Sequence, residues 1–278
     1  MNALARARSF LFVPANRPER FNKALQSGAD AVIIDLEDAV APADKASARQ
    51  ALLSALTALD EAGRARLLVR INASSTSFFH DDLSLLGHAP SIAGVVLAKA
   101  ESSAALRSVA GVTGSGCALL PLIESLAGLD ALDELAQAPQ VLRLVFGHLD
   151  FQADLGLACD VDEAELVPVR LALVAASRRA GLAAAVDGVT VALTDSERLA
   201  SDAARSRRGG FGAKLCIHPS QVAIVNQAFS PTAAEIDWAQ RVVAGSQAAG
   251  GGAFSLDGRM VDPPVLLLAQ QTLARVQP

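Results

Sequence analysis

The sequence predicts an α/β fold, a (β/α)8 barrel of the TIM type that carries a C-terminal lid or arm and a helix. Three observations predict it. Short β-prone runs alternate with longer helical stretches, the runs are apolar without a two-residue alternation, and eight of them can be counted. Such runs are typical of strands buried on both faces, as in a parallel sheet covered by helices. A doubly wound sheet is the competing architecture, and the count of eight favours the barrel.

The eight candidate strands follow one another along most of the chain. They are SFLFV (9–13), AVIID (31–35), LLVRI (67–71), AGVVLA (93–98), ALLPLI (118–123), LRLVFG (142–147), LAAAVD (182–187) and AKLCIH (213–218). Helical segments are predicted between them at 43–59, 126–138, 163–180 and 195–206. Ser125 and Asp195 precede two of these segments and are suitable N-caps.

The end of the chain differs in composition from the rest. Residues 245–259 are rich in glycine and are predicted to be mobile, and a last helix follows Pro263 and Pro264. We therefore interpret 1–244 as the barrel and 245–278 as a flexible lid and helix within the same single domain. A frayed terminal linker is the alternative, and composition alone favours it.

Charge and composition argue against several classes of protein. The net charge is −5, and the only basic group is Arg205, Arg207 and Arg208, so no nucleic-acid partner is expected. The N-terminus lacks the apolar run of a signal peptide, and no stretch is long enough to span a membrane. The three cysteines form no CxxC pair, which is typical of a reducing compartment. We expect a soluble, cytoplasmic protein.

Polar side chains follow the predicted strands at the point where each strand ends. They are Arg17, Glu37, Asp38, Asn72, Lys99, Glu101, Glu124, Asp150, Asp187 and His218, with Arg70 inside the third strand. In a parallel barrel all eight strand ends meet on one face, where active sites are built. Each residue alone could be a surface charge, but that interpretation leaves their common position unexplained.

Glu124 and Asp150 are the candidate metal ligands, because each carboxylate follows an apolar run. Two carboxylates completed by water and substrate oxygens are typical of a Mg²⁺ site. No His/Cys cluster has the spacing of a zinc site. The alternative for Glu124 is a helix N-terminal charge, and spacing alone leaves the two interpretations even. For His148 we expect a packing or supporting role rather than metal ligation.

Arg70 is predicted to lie inside or on top of the barrel, where its planar guanidinium could bind a substrate carboxylate. The alternative is an internal ion pair of Arg70 with Glu37 or Asp38. The two interpretations are compatible, because an unliganded site could use that ion pair. Glu37 or Asp38 could also orient water or Arg70. Lys99 could neutralise this acidic group, and a Schiff-base role for Lys99 is the less favoured mechanism.

Seven segments, in this order, resemble the citrate lyase β-subunit-like branch of the HpcH/HpaI aldolase superfamily. They are RSFLFVPANRPERFNKA (8–24), GADAVIIDLEDAVAPADKASAR (28–49), VRIN (69–72), PLIES (121–125), FGHLDFQADLG (146–156), GFGAKLCIHPSQV (210–222) and FSLDGRMVDPPVLLLA (254–269). Two departures flank the expected pocket: AKAE (98–101) lacks the usual proline, and FGHLDF is a variant of the more common aspartate motif. Both put the choice of substrate in doubt more than the fold.

The resemblance implies a TIM barrel in trimers or hexamers that binds Mg²⁺ through Glu124 and Asp150. It implies that Arg70 holds a keto-acid carboxylate and that Arg17 and Lys23 contact the phosphates of coenzyme A. Substrate would bind through the metal on Glu124 as well as through Arg70.

The resemblance also implies that Asp262 reaches a neighbouring subunit's site from the C-terminal arm. We interpret Asp262 as the acid/base for the thioester carbon, with Glu37 supporting water or metal.

The expected activity is Mg²⁺-dependent carbon–carbon cleavage of a 3-hydroxy-acyl-CoA thioester such as citramalyl-CoA, giving a 2-keto acid and acetyl-CoA. Three alternatives stay open: the citryl-carrier lyase subunit of citrate lyase, a malyl-CoA thioesterase or malate-synthase-like activity, and a non-catalytic subunit. The combination of Arg70, Glu124, Asp150 and Asp262 argues against the last.

Overall fold

A computed structural model describes residues 3–276 and contains a closed barrel of eight parallel strands. The strands are β1 Ser9–Pro14, β2 Ala31–Asp35, β3 Leu67–Ile71, β4 Gly94–Leu97, β5 Ala118–Ile123, β6 Val145–Phe146, β7 Val186–Asp187 and β8 Ala213–Cys216. They pair in sequence order, and β8 pairs with β1 to close the barrel. All eight predicted strands are present, and the predicted fold class is confirmed.

Helices follow the strands and cover the outside of the barrel. They are α1 Phe21–Leu25, α2 Lys45–Ala58, α3 Glu61–Arg64, α4 Phe79–His88, α5 Ser103–Thr113, α6 Leu126–Asp130, α7 Leu132–Ala136, α8 His148–Leu155, α9 Val167–Arg179, α10 Ser196–Arg208 and α11 Val222–Phe229. Ser125 and Asp195 cap α6 and α10, accepting hydrogen bonds from the backbone amides of Gly128 and Arg198. Both N-caps were predicted from the sequence.

Every second residue of a strand faces the barrel interior, because side chains alternate across a strand. On β3 this places Leu68 in the central apolar core, and Arg70 has the same parity further along the strand. On β5 Leu120 and Leu122 lie in the core, and Glu124 follows with the same parity. The interior is therefore apolar in the middle and becomes charged at the carboxyl ends of the strands.

Arg143 closes the amino end of the barrel. Its side chain is fully buried and donates hydrogen bonds to the backbone carbonyls of Ala184, Leu4 and Ala7, at 2.6, 3.0 and 2.6 Å. The guanidinium also lies over the ring of Phe10, 5.4 Å from its centroid. These contacts fix the N-terminal segment beneath the barrel.

The chain divides into two compact units, one up to Asn226 and one from Gln227 onward. The second unit contains α12 Ala233–Ala248, a hairpin of β9 Phe254–Leu256 and β10 Arg259–Val261, and α13 Pro263–Ala274. The division thus comes earlier than the predicted boundary between 244 and 245. The glycine-rich segment includes the end of α12 and most of the hairpin, and its role as a lid stays a prediction.

Close packing explains one glycine of the second unit. A Cβ atom at Gly245 would lie 2.4 Å from the ring of Phe254, so the hairpin can pack against α12 only where this side chain is missing. Within the described residues, no helix combines the length and apolar character needed to cross a membrane.

Candidate active site

Five charged side chains from five successive parts of the barrel meet at the carboxyl ends of the strands. Glu37 follows β2, Arg70 lies in β3, Lys99 follows β4, Glu124 follows β5, and Asp150 lies in the first turn of α8, after β6. Ion-pair distances link all five residues. The predicted convergence of these residues is observed.

Arg70 is held by two carboxylates. Its Nε and Nη2 atoms donate to the two oxygens of Asp35 at 2.7 and 2.6 Å, and its Nη1 lies 2.9 Å from Glu37 Oε2. Although burial alone would lower it, these carboxylates raise the pKa of Arg70 above its ordinary value. Glu37 was a predicted partner of Arg70, whereas Asp35 was not. Strand parity places Asp35 on the same side of β2 as Ile33, but its alignment with Arg70 on the neighbouring strand is a matter of register, which the sequence does not give.

Lys99 lies among three carboxylates. Its Nζ is 3.3 Å from Glu37 Oε1, 3.6 Å from Asp150 Oδ1 and 3.8 Å from Glu124 Oε2. Burial lowers the pKa of Lys99, but Glu37 and Glu124 outweigh this effect and raise the pKa overall. The backbone of Lys99 has a φ of +43°, a left-handed conformation that costs a non-glycine residue about 1–3 kcal/mol. The ion pairs offset part of that cost.

Glu124 and Asp150 fit a divalent cation. Glu124 is 2% exposed, and its Oε2 is buried without a hydrogen-bond partner, so the site holds a carboxylate oxygen that a metal could satisfy. Burial raises the pKa of Glu124 well above its ordinary value, and Arg70 opposes this effect. The carboxylate of Asp150 is 41% exposed, which leaves room for water and substrate oxygens.

Two further observations bear on the metal site. Gly147 lies against Glu124, because a Cβ at this position would come within 2.4 Å of Glu124 Cγ. In the part of the chain that the structure describes, no group of three or more His, Cys, Asp or Glu residues could hold a metal. The two carboxylates of Glu124 and Asp150, completed by water and substrate oxygens, suit Mg²⁺, which keeps several of its waters.

Lys45 stabilises the backbone that follows β2, a role that the sequence did not indicate. Its buried ammonium donates to the carbonyls of Leu36 and Glu37 and to Asn72 Oδ1, at 2.6, 2.7 and 2.7 Å. Asn72 donates in turn to Asp82. The backbone that carries Glu37 is thereby fixed to the barrel.

A cavity of about 390 Å³ opens beside these residues. Its charged lining residues are Asp35, Asp38, Arg70, Glu124 and Asp150. Its large apolar lining residues include Phe12, Leu122, Phe146, Val189, Leu215 and Ile217. The cavity can thus hold a small acid whose carboxylate faces Arg70 and whose carbon substituents face apolar side chains.

Other predicted residues lie in different surroundings. Arg17 is exposed in the turn after β1, 2.5 Å from Glu19 Oε1, and Lys23 is exposed on α1. Asp187 is buried with Arg170, and His218 is exposed where it caps a 3-10 helix. Asp262 belongs to the second unit, where it is the N-cap of α13 and accepts a hydrogen bond from the amide of Val265. The roles suggested for Arg17, Lys23 and Asp262 stay predictions.

Comparison with known proteins places this site in a family. The model of the HpcH/HpaI aldolase/citrate lyase family matches residues 8–219, which include all eight strands and the five charged residues. The chain belongs to the HpcH/HpaI aldolase/citrate lyase family. The resemblance seen in the sequence is confirmed.

Two curated members of the family match over nearly their whole length. The chain is 38% identical to a citrate lyase subunit beta-like protein of Deinococcus radiodurans, over 96% of each chain. It is 34% identical to a (3S)-malyl-CoA thioesterase of Cereibacter sphaeroides, over 97% of this chain and 94% of the thioesterase. One of these relatives is thus named after a lyase and the other after a thioesterase.

A solved structure of the family matches the fold. CitE of Mycobacterium tuberculosis, in complex with magnesium, acetoacetate and coenzyme A, superposes with a TM-score of 0.84 at 37% identity, over 97% of both chains. That family member binds a divalent metal, a 3-oxo acid and the cofactor together.

Proposed function

We propose that the protein is a Mg²⁺-dependent lyase that cleaves a carbon–carbon bond in a 3-hydroxy-acyl-CoA thioester. One observation carries this proposal: Glu124 Oε2, which is buried without a hydrogen-bond partner, lines the same cavity as the accessible carboxylate of Asp150 and as Arg70. The magnesium and coenzyme A held by the M. tuberculosis relative support the same cofactors here.

Glu124 and Asp150 would hold the metal, which supplies Lewis-acid stabilisation of the negative charge that develops on the substrate's oxygens. Arg70 binds the carboxylate of the keto-acid half. Asp35 and Glu37 fix the plane of its guanidinium, so that it needs little reorganisation when substrate arrives. Glu37 forms an ion pair with Lys99 at the same edge, and we assign to it the support of water or metal there.

Carbon–carbon cleavage requires that a proton leaves the hydroxyl group and that another reaches the carbon of the departing thioester enolate. We assign the second transfer to Asp262 of a neighbouring subunit in a homotrimer or hexamer. We assign Arg17 and Lys23 to the phosphates of coenzyme A, because both are exposed cations near the end of β1. Phosphate groups are well matched by such side chains.

Citramalyl-CoA is the proposed substrate, with pyruvate and acetyl-CoA as products. Among the described residues that line the cavity, Arg70 is the only arginine or lysine, which supports an acid half with one free carboxylate. The apolar side of the cavity supports a methyl group on the hydroxyl-bearing carbon. A second carboxylate placed against these apolar side chains would lose its hydration, which disfavours a diacid.

A thioesterase is the second candidate, because the chain is similar over nearly its whole length to a (3S)-malyl-CoA thioesterase. The same residues would then bind the acid, and water would attack the thioester carbonyl. The two reactions differ in their products: the lyase yields a keto acid and acetyl-CoA, whereas the thioesterase yields free coenzyme A.

The test is a Mg²⁺-dependent assay on citramalyl-, malyl-, methylmalyl- and citryl-CoA, with all products followed by mass spectrometry. Keto acid formed from one thioester, and lost in Glu124→Ala, would support the lyase. Glu197→Ala, an exposed glutamate in the first turn of α10, is the matched control. Free coenzyme A without keto acid would support the thioesterase, and no turnover on any ester would contradict both.

A further inference from the structure

The cavity beside Arg70 is separated from a second cavity by a thin wall. The second cavity has a volume of about 300 Å³ and is lined largely by polar side chains, among them Gln152, Thr190 and Asp202. His148, Leu149 and Val189 line both cavities. These three residues form the wall, and His148 is its buried member, with 4% of its surface exposed.

The imidazole of His148 fills its place in the wall tightly. A Cβ atom at Gly188 would lie 2.1 Å from Nδ1 and 2.9 Å from Cε1, so the ring fits only because residue 188 has no side chain. On the other edge, Nε2 lies 3.7 Å from Glu163 Oε1. The ring of Phe146 packs beside it, with a centroid distance of 6.2 Å.

Glu163 lies beside the imidazole and lines the second cavity. Its carboxylate accepts hydrogen bonds from Arg170 and Arg205, and its backbone has a φ of +52°. Arg170 is itself anchored to the buried Asp187 at 3.2 Å. These contacts hold the side chain of Glu163 in place beside the imidazole of His148.

His148 lines the same cavity as the residues that we assign to the acid half of the substrate. His148 directly follows Gly147, which packs against Glu124, and it precedes Asp150 by two residues. His148 and Val189 line the same cavity as these two carboxylates, so a substituent of an acid bound there can reach them. Its size is limited by how far the wall lies from the carboxylates.

We propose that His148 is a specificity-determining residue that restricts the acid half of the substrate to a small apolar substituent. This inference rests on the proposed function, because it assumes that a 2-oxo acid binds at Arg70 and the two carboxylates. Replacing the imidazole by a small side chain would join the two cavities and admit longer substituents. Glu124, Asp150 and Arg70 would keep their positions.

Calorimetric binding of 2-oxo acids tests the proposal without catalysis. With saturating Mg²⁺, 2-oxo acids bearing methyl, ethyl, propyl and isopropyl groups are titrated into the wild type, His148→Ala and His148→Ser. His88→Ala, at an exposed histidine on α4, is the matched control. Alanine and serine are both small but differ in polarity. If one of the two variants does not fold, the other is sufficient for the test.

In the wild type and in His88→Ala, we expect the dissociation constant to rise about tenfold with each methylene beyond the size that fits. In His148→Ala or His148→Ser, we expect the same series to vary by less than about threefold. An unchanged steep series in the His148 variants would overturn the inference and leave the proposed function standing. If the wild type binds none of the acids, the proposed function and the inference both fail.

The wall itself can be tested independently of any acid. In a crystal structure of His148→Ala, we expect one continuous cavity, and two cavities that stay separate would overturn the inference whatever binds. The Gly188→Ala substitution adds a second measurement. It should be strongly destabilising alone and well tolerated together with His148→Ala, because the new Cβ then meets no ring. Equal destabilisation in both backgrounds would contradict the assigned contact.

Discussion

Lys99 Nζ lies 3.8 Å from Glu124 Oε2, the buried carboxylate oxygen that has no hydrogen-bond partner. The same ammonium is within ion-pair distance of Glu37 and Asp150. Lys99 therefore shares with Arg70 the balancing of the carboxylates of the site. A divalent ion bound by Glu124 and Asp150 would repel this ammonium or displace it.

Replacing Lys99 by methionine should strengthen Mg²⁺ binding to the substrate-free protein. The repulsion between Lys99 and the metal is screened, because 38% of the lysine side chain is exposed. We therefore expect the dissociation constant to fall by about tenfold, or about 1.4 kcal/mol. Isothermal titration calorimetry with MgCl₂ measures it, and Lys23→Met, an exposed lysine on α1, is the control. Weaker binding in Lys99→Met would show that Lys99 supports the metal site.

The Asp262→Asn substitution should abolish cleavage of the thioester and leave Mg²⁺ binding intact. Asparagine is as good an N-cap as aspartate, so α13 keeps its capping hydrogen bond to the amide of Val265 while the acid/base is lost. Turnover is measured by keto-acid release, metal binding by calorimetry, and the helix by circular dichroism. An active Asp262→Asn enzyme would remove this residue from the chemistry.

The Arg17→Ala substitution should raise KM for the CoA thioester and leave kcat nearly unchanged. Loss of one exposed phosphate contact should cost about 1 kcal/mol or less, which is roughly fivefold in KM. Steady-state kinetics measure both constants. Arg20→Ala, at an exposed arginine in the same turn, is the control. An Arg17→Ala enzyme with the KM of the wild type would refute a contact with coenzyme A.

The Arg143→Met substitution should destabilise the barrel without changing the site at its other end. It would leave the buried carbonyls of Leu4, Ala7 and Ala184 without their donor, and we expect a loss of about 3–5 kcal/mol in the free energy of unfolding. Urea unfolding followed by circular dichroism measures the loss. Arg178→Met, at an exposed arginine on α9, should change stability little, and an equally small effect at Arg143 would contradict the assigned role.

Much of the site was predictable because parallel strands of a barrel end on one face. Glu37, Arg70, Lys99, Glu124 and Asp150 were all recognised from their positions in or after apolar runs. Glu124 directly precedes Ser125, the N-cap of α6, and it also lines the cavity at the barrel mouth, so its role as a metal ligand stays a prediction. Glu124 has the same strand parity as Leu120 and Leu122, whose side chains lie in the barrel interior.

The C-terminal segment, residues 245–278, was predicted less well from composition than the barrel was. Its glycines suggested mobility from residue 245 onward, yet Gly245 lies in α12 and permits contact with Phe254. A glycine that gives freedom in an isolated chain can equally allow close packing. Which of the two applies depends on whether another side chain packs against the glycine in the folded protein, as Phe254 does here.

The sequence by itself determined the barrel, its eight strands and the face on which its polar residues meet, because periodicity and apolar runs are local properties. The tertiary structure alone decided that Asp35 binds Arg70, that Lys99 lies among three carboxylates, and that His148 separates two cavities. These contacts join side chains from different strands. Their distances depend on strand register and on side-chain rotamers, which no local pattern in the sequence specifies.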